Sequence, residues 1–380
     1  MRLDELCLDI VDCEHKTAPI SAGGGYFAVG TPAMQGNRIN FVEAREISQE
    51  TFHVWTKRMR PAEGDLLFAR EAPVGPVVRI PSRLNVAPGQ RTVLLRPNPS
   101  VTDSRFLYYA IAAPSTQRRI QDLSMGSTVA HLNVADVRSF ELPVPTLAEQ
   151  RAIAEVLGVL DDKIAANSKL VTTTDELSQA VYAANRSSSA SLVSLASFVN
   201  GRNFTKDATG TGRVVVRISE LNSGLGNSTV LNDLEAPDDN LANPGDILFA
   251  WSGSLTVKRW TLPSALINQH IFKVLPTGDL PHWLAYQALL TKLREFKAIA
   301  ADKATTMGHI QRRHLEVDVP VPTDEEMARI NPLMQGLWDR GIAAEQESQT
   351  LAELRDTLLP ALMDGTIRVK DAVAHMEGVL

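Results

Sequence analysis

The sequence predicts an α+β protein made of two related globular halves, each followed by a long helix, with the two helices packed on one another. Three observations carry that reading: text that recurs in order along the chain, two matched helix-start signals, and an apolar stripe at helical spacing behind each signal. The length, 380 residues and 41.5 kDa, agrees, because it exceeds one ordinary domain.

The recurrence sets the architecture. Gly64-Asp-Leu-Leu-Phe-Ala69 returns as Gly245-Asp-Ile-Leu-Phe-Ala250, an offset of 181 residues. Gln90 answers Gln269 at an offset of 179. Phe106-Leu-Tyr-Tyr109 answers Trp283-Leu-Ala-Tyr286, and Leu142-Pro-Val-Pro-Thr146 answers Val319-Pro-Val-Pro-Thr323, both at 177. The order is kept, and the drift of four residues is ordinary loop-length change. Between these anchors the copies share little.

Within the halves, Gly64-Asp65 and Gly245-Asp246 read as turns feeding short strands, with Thr92–Leu95 and Val214–Ile218 as further strands. Arg105–Ile120 and His282–Ala300 read as helices, and the lack of regular βαβ alternation gives the α+β class. Thr146-Leu-Ala-Glu149 and Thr323-Asp-Glu-Glu326 are capping boxes behind Pro-Val-Pro stretches, so a helix starts at each. Ile153, Leu157, Leu160 and Ile164 then follow steps of four, three and four, the spacing of a helix–helix seam. Leu170, Leu177 and Val181 extend it in a shifted register. On the second helix Ile330, Leu333, Met334 and Leu337 open the stripe, and Leu351, Leu354, Leu358 and Leu362 close it. Asn185–Ser191 reads as a flexible polar joint. The expected organisation is a first domain over 1–145, a spacer helix over 146–185, a second domain over 186–322, a C-terminal spacer helix over 323–365 and a tail over 366–380.

Composition narrows the function. An apolar fraction of 44% and a charged fraction of 22% describe a globular chain. The acidic N-terminal Met1–Glu5 does not suit a signal peptide. The longest uncharged stretch, 17–37, holds five glycines and two prolines, so neither secretion nor a membrane partner is expected. With only Cys7 and Cys13, a cytoplasmic location is the expectation. The net charge of −6 would argue against nucleic acid, but it sits in the two helical segments: residues 146–185 carry −3 and 323–380 carry −6. Residues 1–145 carry +1 and 186–322 carry +2, which leaves DNA open as a partner.

Catalytic text is missing. Gly23-Gly24-Gly25 fits neither a dinucleotide turn nor a phosphate loop, and Asn331-Pro332-Leu333 lacks the second proline and aromatic of a methyl-transfer loop. Cys7, Cys13, Glu14 and His15 match no zinc spacing and read as buried thiols beside a polar turn. Glu295 and Lys297 could be argued as nuclease residues, but they lie in a charged helical face. Binding features are richer. Arg45, His53, Trp55, Lys57, Arg58, Arg60 and Arg70 cluster in the first half; Trp251, Lys258, Arg259 and Trp260, then Lys292–Arg313, do so in the second. Basic groups with polar and aromatic neighbours suit phosphate contact and base reading.

Pro143–Leu157 with Leu160-Asp161-Asp162-Lys163-Ile164 resembles the proline-strand, Glu-Gln and Leu-Asp signature of type I restriction–modification specificity subunits. Leu358–Ile367 is similar to that family's closing segment, and Gly126–Leu132 to its loop before the closing strand. The second copy departs from the pattern, with Glu326-Met327 for Glu-Gln, and Gly336 and Gly341 weaken its helix, so looser packing or docking is expected there. The resemblance implies two tandem target recognition domains reading a split, asymmetric site in double-stranded DNA. The helices would form an antiparallel coiled coil that sets the gap and gives the molecule a pseudo-twofold axis. It also implies docking of two modification (methyltransferase) subunits and of restriction (ATP-dependent translocase and endonuclease) subunits. The chain itself would be non-catalytic and need no metal or cofactor. Candidate DNA contacts are Arg58, Arg60, Arg70, Gln90, Thr128 and His131 in the first half and Trp251, Lys258, Gln269, Thr306 and His309 in the second. Arg70 suits guanine and Gln90 adenine. The helix seam and docking positions are Glu149, Ile153, Leu157, Leu160, Ile164, Ile330, Leu337, Leu354 and Leu358. A scaffold that reads no DNA, or the DNA-reading subunit of another phage-defence complex, is the alternative.

Overall fold

The repeat is realised strand for strand in the core sheets. A computed structural model describes residues 1–82, 85–124, 130–302 and 308–378. They fall into two compact units, Met1–Asp162 with Ala352–Leu380, and Lys163–Leu351.

In the first unit α1 (Leu3–Leu6) leads into β1 (Cys7–Asp12), β2 (Tyr26–Val29), β3 (Arg45–Ile47), α2 (Gln49–Trp55), β4 (Leu66–Arg70), β5 (Val74–Arg79), β6 (Asn85–Pro88) and β7 (Thr92–Pro97). Then come α3 (Ser104–Ala112), α4 (Pro114–Ser124) and α5 (Val134–Ser139). One antiparallel sheet runs β1-β7-β4-β5; a second runs β3-β2-β6, with β2 and β6 parallel. Gly64, at φ +85°, turns the chain into β4, where a side chain would be strained. Leu67 and Ala69 of β4 enter a core with Val29, Val78, Val86 and Leu94. Leu66 and Phe68, on the other face by alternation, are as well buried. The single helix expected over 105–120 is two, because Pro114 drives Ala113 to ψ 138° and starts a new helix.

The long helix α6 (Leu147–Ala184) begins in the first unit and ends in the second. The second unit continues with β8 (Ser188–Ser191), α7 (Leu192–Leu195), β9 (Ala196–Asn200), β10 (Arg213–Val216), α8 (Ile218–Ser223), β11 (Leu231–Asn232), β12 (Leu241–Ala242), β13 (Ile247–Ala250) and β14 (Thr256–Arg259). It is completed by β15 (Ala265–Ile267), β16 (Ile271–Pro276), α9 (His282–Asp302), β17 (Asp318–Val321) and most of α10 (Asp324–Met363), while α11 (Val369–Glu377) lies in the first unit. Its sheets run β14-β13-β16-β9 and β11-β10-β15-β12, again with one parallel pair, β10 and β15. The core strands thus follow the same order in both units. A paired carboxylate beside the turn glycine is also repeated, buried Asp65 on Arg96 at 2.7 Å and half-buried Asp246 on Lys273 at 2.9 Å.

The segment expected to be a flexible joint is a strand. β8 pairs antiparallel with β17, from Asp318 opposite Ser191 to Val321 opposite Ser188. The first unit closes the same way, with Met1 and Leu142 exchanging backbone hydrogen bonds of 2.8 and 2.9 Å. A Pro-Val-Pro strand needs a partner for its remaining amides and carbonyls, and small polar serines supply one.

Both capping boxes form. Thr146 N donates to Glu149 Oε2 at 3.0 Å and Glu149 N to Thr146 Oγ1 at 3.4 Å; Thr323 and Glu326 do likewise at 2.9 and 3.2 Å. Glu149 is therefore an exposed cap and no part of the seam. Within each unit the helix pieces run antiparallel: Asp161 meets Arg355 in the first, whereas in the second Asn167 meets Glu347 and Asn185 meets Arg329. Ile153, Leu157 and Leu160 are buried in the first unit, as are Leu354, Leu358 and Leu362. In the second, Ile164, Ile330, Met334 and Trp338 are buried and Leu337 is half-buried.

The shifted register of Leu170, Leu177 and Val181 is realised only in part, since Leu170 and Val181 are half-buried, Val181 against the apolar core, and Leu177 is not. The fully buried positions beyond Ile164 are Asn167, Thr174, Ser178 and Tyr182, with Val171 half-buried between them, while Leu177 is 45% exposed. The seam turns polar, and its polar atoms are satisfied locally: Asn167 donates to Glu347 at 2.7 Å and Tyr182 to Pro320 O at 2.6 Å. Leu333 is likewise 49% exposed, its place in the seam taken by Met334. Among the described residues no helix is long and apolar enough to cross a membrane.

Candidate nucleic-acid interface

One end of each core sheet carries the same backbone frame. In the first unit Leu132 N donates to Arg70 O at 2.8 Å, Arg70 N to Arg91 O at 3.0 Å and Gly89 N to Val29 O at 2.8 Å. In the second, Ile310 N donates to Trp251 O at 3.1 Å, Trp251 N to His270 O at 3.2 Å and Asn268 N to Val216 O at 3.0 Å. Isolated bridges complete the match, Glu71 with His131 and Ser252 with His309. The strand end, the β6–β7 or β15–β16 turn and a returning loop therefore meet at one place in each unit. Arg70, Gln90 and His131 are brought together by it, and so are Trp251, Gln269 and His309.

The side chains on the two frames differ. In the first, Arg70 donates through Nε to Asp12 at 3.2 Å and through Nη1 to Leu132 O at 3.4 Å, with its side chain only 10% exposed. His15 adds a second contact to Asp12 at 3.0 Å. In the second, Trp251 Nε1 donates to Asn200 Oδ1 at 3.0 Å. The same tie across the intervening strand, β7 or β16, is thus made by an ion pair in one unit and by a neutral indole–amide bond in the other. Arg70 is in consequence committed inside its own domain, which corrects its assignment to a guanine edge. Trp251 is half-buried, stacked on Phe272 at 5.7 Å and met edge-on by His309 at 6.4 Å.

More accessible groups surround these ties. Gln90 accepts from Thr17 at 3.1 Å beside a recess of about 180 Å³ that also involves Glu43, Arg45 and Arg91. Arg58 is exposed and reaches Asp12 O at 3.3 Å, at the same strand end. Arg60 lies elsewhere, its guanidinium over Phe52 at 5.5 Å and its carbonyl held by Arg96. In the second unit Gln269 touches His270 at 3.3 Å, and Lys258 is exposed on the edge strand β14 opposite Leu248. A recess of about 650 Å³ involves Lys297, Ser254, Asn222 and Gly308, and Gly253 N bonds Gly308 O at 2.8 Å. Arg259 and Trp260, grouped with the binding features by sequence, are buried. Thr128 and Thr306 lie outside the described residues.

Among the described residues no group of three His, Cys, Asp or Glu is placed to hold a metal ion. Cys7 and Cys13 are buried free thiols; burial pushes Cys7 up to about 12 and raises Cys13 as well. Glu295 pairs with Lys292 at 3.0 Å on α9, the charged face the sequence suggested.

The signature text of α6 has a structural explanation that sequence alone did not supply. Gln150 is 1% exposed, and its amide makes four hydrogen bonds: Oε1 accepts from Thr102 Oγ1 at 3.0 Å and Asp103 N at 2.9 Å, and Nε2 donates to Val101 O and Pro145 O, both at 3.1 Å. Asp161 accepts from Arg355 at 2.7 Å, Tyr109 at 2.6 Å and Arg38 at 3.2 Å, while Arg105 forks onto Asp162 at 3.0 and 3.1 Å. Burial, then the Asp161 charge, pushes the Tyr109 hydroxyl up. At the matched position in the second helix Met327 packs against the apolar core, and a different amide, Asn331, takes the Trp283 indole at 2.8 Å.

Set beside known proteins, residues 14–173 match the family described as type I restriction modification DNA specificity domain. That stretch, less than half of the chain, is similar to a type I DNA specificity domain. Over 370 residues it is 24% identical to the type I restriction enzyme MjaIX specificity subunit of Methanocaldococcus jannaschii, spanning 86% of this chain and 83% of that one. Its fold is similar to the crystal structure of the type I restriction–modification system S subunit from M. genitalium, at a TM-score of 0.59 and 18% identity over 96% of this chain and 95% of the other. The resemblance drawn from the Glu-Gln and Leu-Asp text is borne out by these matches. Sequence reasoning missed Asp12 and Asn200, which no shared text marks. Arg91 and His270, and Glu71 and Ser252, stand beside matched anchors and are equivalent in the frame but unlike in chemistry, and none of them is among the candidate DNA contacts.

Proposed function

We propose that this chain reads a split, asymmetric site in double-stranded DNA for a type I restriction–modification complex, with residues 1–145 reading one part and 186–322 the other. The observation that carries the proposal is the frame made twice with different side chains. Equivalent geometry gives both domains the same way of approaching a groove, and the unlike groups give them different base preferences. Arg58, Gln90, Thr128 and His131 in the first domain and Lys258, Gln269, Thr306 and His309 in the second are the proposed DNA contacts. Arg60 serves as a phosphate contact, and Arg70 and Trp251 shape the loops that present the readers.

The paired helices set the accepted gap and dock two modification subunits and the restriction subunits. Val159, Leu177 and Leu333, left exposed on their outer faces, support docking by apolar contact. The proposed setting is the cytoplasm, where DNA and such partners meet. Co-expression with a modification subunit and mapping of methylated bases tests the proposal, with the modification subunit alone as control. A bipartite motif that appears only with both proteins is expected. A soluble complex that methylates nothing new would refute DNA reading and favour a scaffold.

A further inference from the structure

Beside an apolar core shared with Tyr182, Ile330, Met334 and Trp338, the second unit holds its globular part to its helices with directional polar contacts. Arg259, on the edge strand β14, has a side chain only 5% exposed. It forks onto Asp175 of α6 at 2.8 and 3.3 Å, and its Nε and Nη2 reach Glu345 of α10 at 3.3 and 3.1 Å. The guanidinium lies over Trp338 at 5.6 Å. Gly341 makes room for it, since a Cβ there would stand 2.9–3.1 Å from the guanidinium atoms. Two residues further along, Thr261 accepts from Gln349 of α10 at 3.0 Å. One side chain of the globular part therefore grips both helices at the stretch where their seam is Asn167, Thr174 and Ser178.

We propose that Arg259 is a positioning residue that fixes the angle of the second domain on its helix pair and thereby the gap length the protein accepts between the two parts of its DNA site. The gap clause rests on the reading of a split site given above. The physical ground is geometric. Apolar contacts tolerate small rotations, whereas a planar fork held by two carboxylates and an aromatic face has one orientation. Buried ion clusters of this kind contribute more to a unique arrangement than to net stability. The glycine that weakens α10 by propensity is, on this view, kept for the seat it leaves. The Arg105–Asp162 fork of the first unit is a weaker counterpart, with one acid and side chains 32% and 66% exposed.

Two measurements test this. Spin labels on Ser228→Cys and Gln179→Cys, one on the domain and one on α6, report the angle without DNA, and the native Cys7 and Cys13 are buried and spared labelling. A narrow distance distribution is expected in the parent chain and a broad one in Arg259→Met and in Gly341→Ala, while Arg259→Lys, a point charge without a fork, falls between. In the assembled complex, methylation of duplexes whose gap differs by one base pair should lose at least about tenfold of its discrimination in both variants, with each part of the site still read. Distributions that stay narrow in folded variants overturn the proposal. If the distributions broaden and the parent complex shows no split site, the reading of function fails and the positioning role stands. Should Arg259→Met not fold, Gly341→Ala decides alone, because alanine favours the helix and disturbs only the seat.

Discussion

Replacing Gln150 with leucine tests how the first domain is fastened to α6. The substitution keeps size and helix propensity but deletes an amide that is 1% exposed and makes four hydrogen bonds. Thr102 can turn its hydroxyl towards Asp103 O, 3.5 Å away, and each carbonyl has a second lone pair. The Asp103 amide has no such recourse, and Val101 O and Pro145 O lose their Nε2 donor. At about 1–3 kcal/mol for a buried group left unpaired, with a partial gain from burying leucine, the net loss is about 3 kcal/mol. For a unit of this size that lowers its melting temperature by roughly 6–12 °C. Calorimetry of the whole chain should show the first unit's transition shifted and the second's unmoved. Hydrogen exchange should accelerate at the start of α3 and of α6. A variant within about 0.5 kcal/mol of the parent, with exchange unchanged at Asp103, would refute the claim that this amide is the fastening.

Acidification should loosen both helix starts. The Thr146 and Thr323 bonds hold Glu149 and Glu326 below the ordinary value of 4.5. A lowered folded value means the stabilisation is present above about 4.5 and is lost as pH falls through the folded value, so helical circular dichroism should decline in that acid window, and less so in Glu149→Gln/Glu326→Gln. Asp161→Asn removes the charge facing Arg355 and Arg38 but leaves an acceptor for Tyr109; a loss of about 2 kcal/mol is expected in urea unfolding, and a change below about 0.5 would show the pair to be solvent-screened. Gln90→Ala and Gln269→Ala should each relax the methylated motif at one position, in different parts of the site, with stability within about 0.5 kcal/mol of the parent. Relaxation in the same part for both would contradict the assignment of one part to each domain.

The architecture was legible because its anchors are of kinds that sequence shows well. Turn glycines ahead of buried strands and Thr-x-x-Glu boxes behind Pro-Val-Pro are short, local and chemically distinctive. The seam was legible only while it stayed apolar. Beyond Ile164 its buried positions are Asn167, Thr174 and Ser178, and an apolar-pattern reading slips onto the nearest leucines, which face outward. The strand at Ser188–Ser191 was hidden because polar serines look like a linker until their partner strand is placed beside them. At the candidate interface the matched glutamines were visible, as were Arg70 and Trp251 behind the matched strands, but Asp12 was not paired with Asn200 by text. Their equivalence lies in the backbone bonds they share. The exposure of the proposed readers could not be inferred either, since an arginine ending a strand reads alike whether it faces water or Asp12.

The loop frame at the end of each core sheet is tied by main-chain hydrogen bonds, from Leu132 to Arg70 and from Ile310 to Trp251. Such ties are indifferent to the side chains that ride on them. A protein that must keep its partners while changing what it recognises gains from that separation. Substitutions at Gln90, His131, Gln269 or His309 alter the presented chemistry without touching the bonds that hold the loops. On the proposed reading, recognition can then change in one domain while the other and the helices stay as they were. The two copies within this chain are already alike in frame and unlike in the side chains it carries.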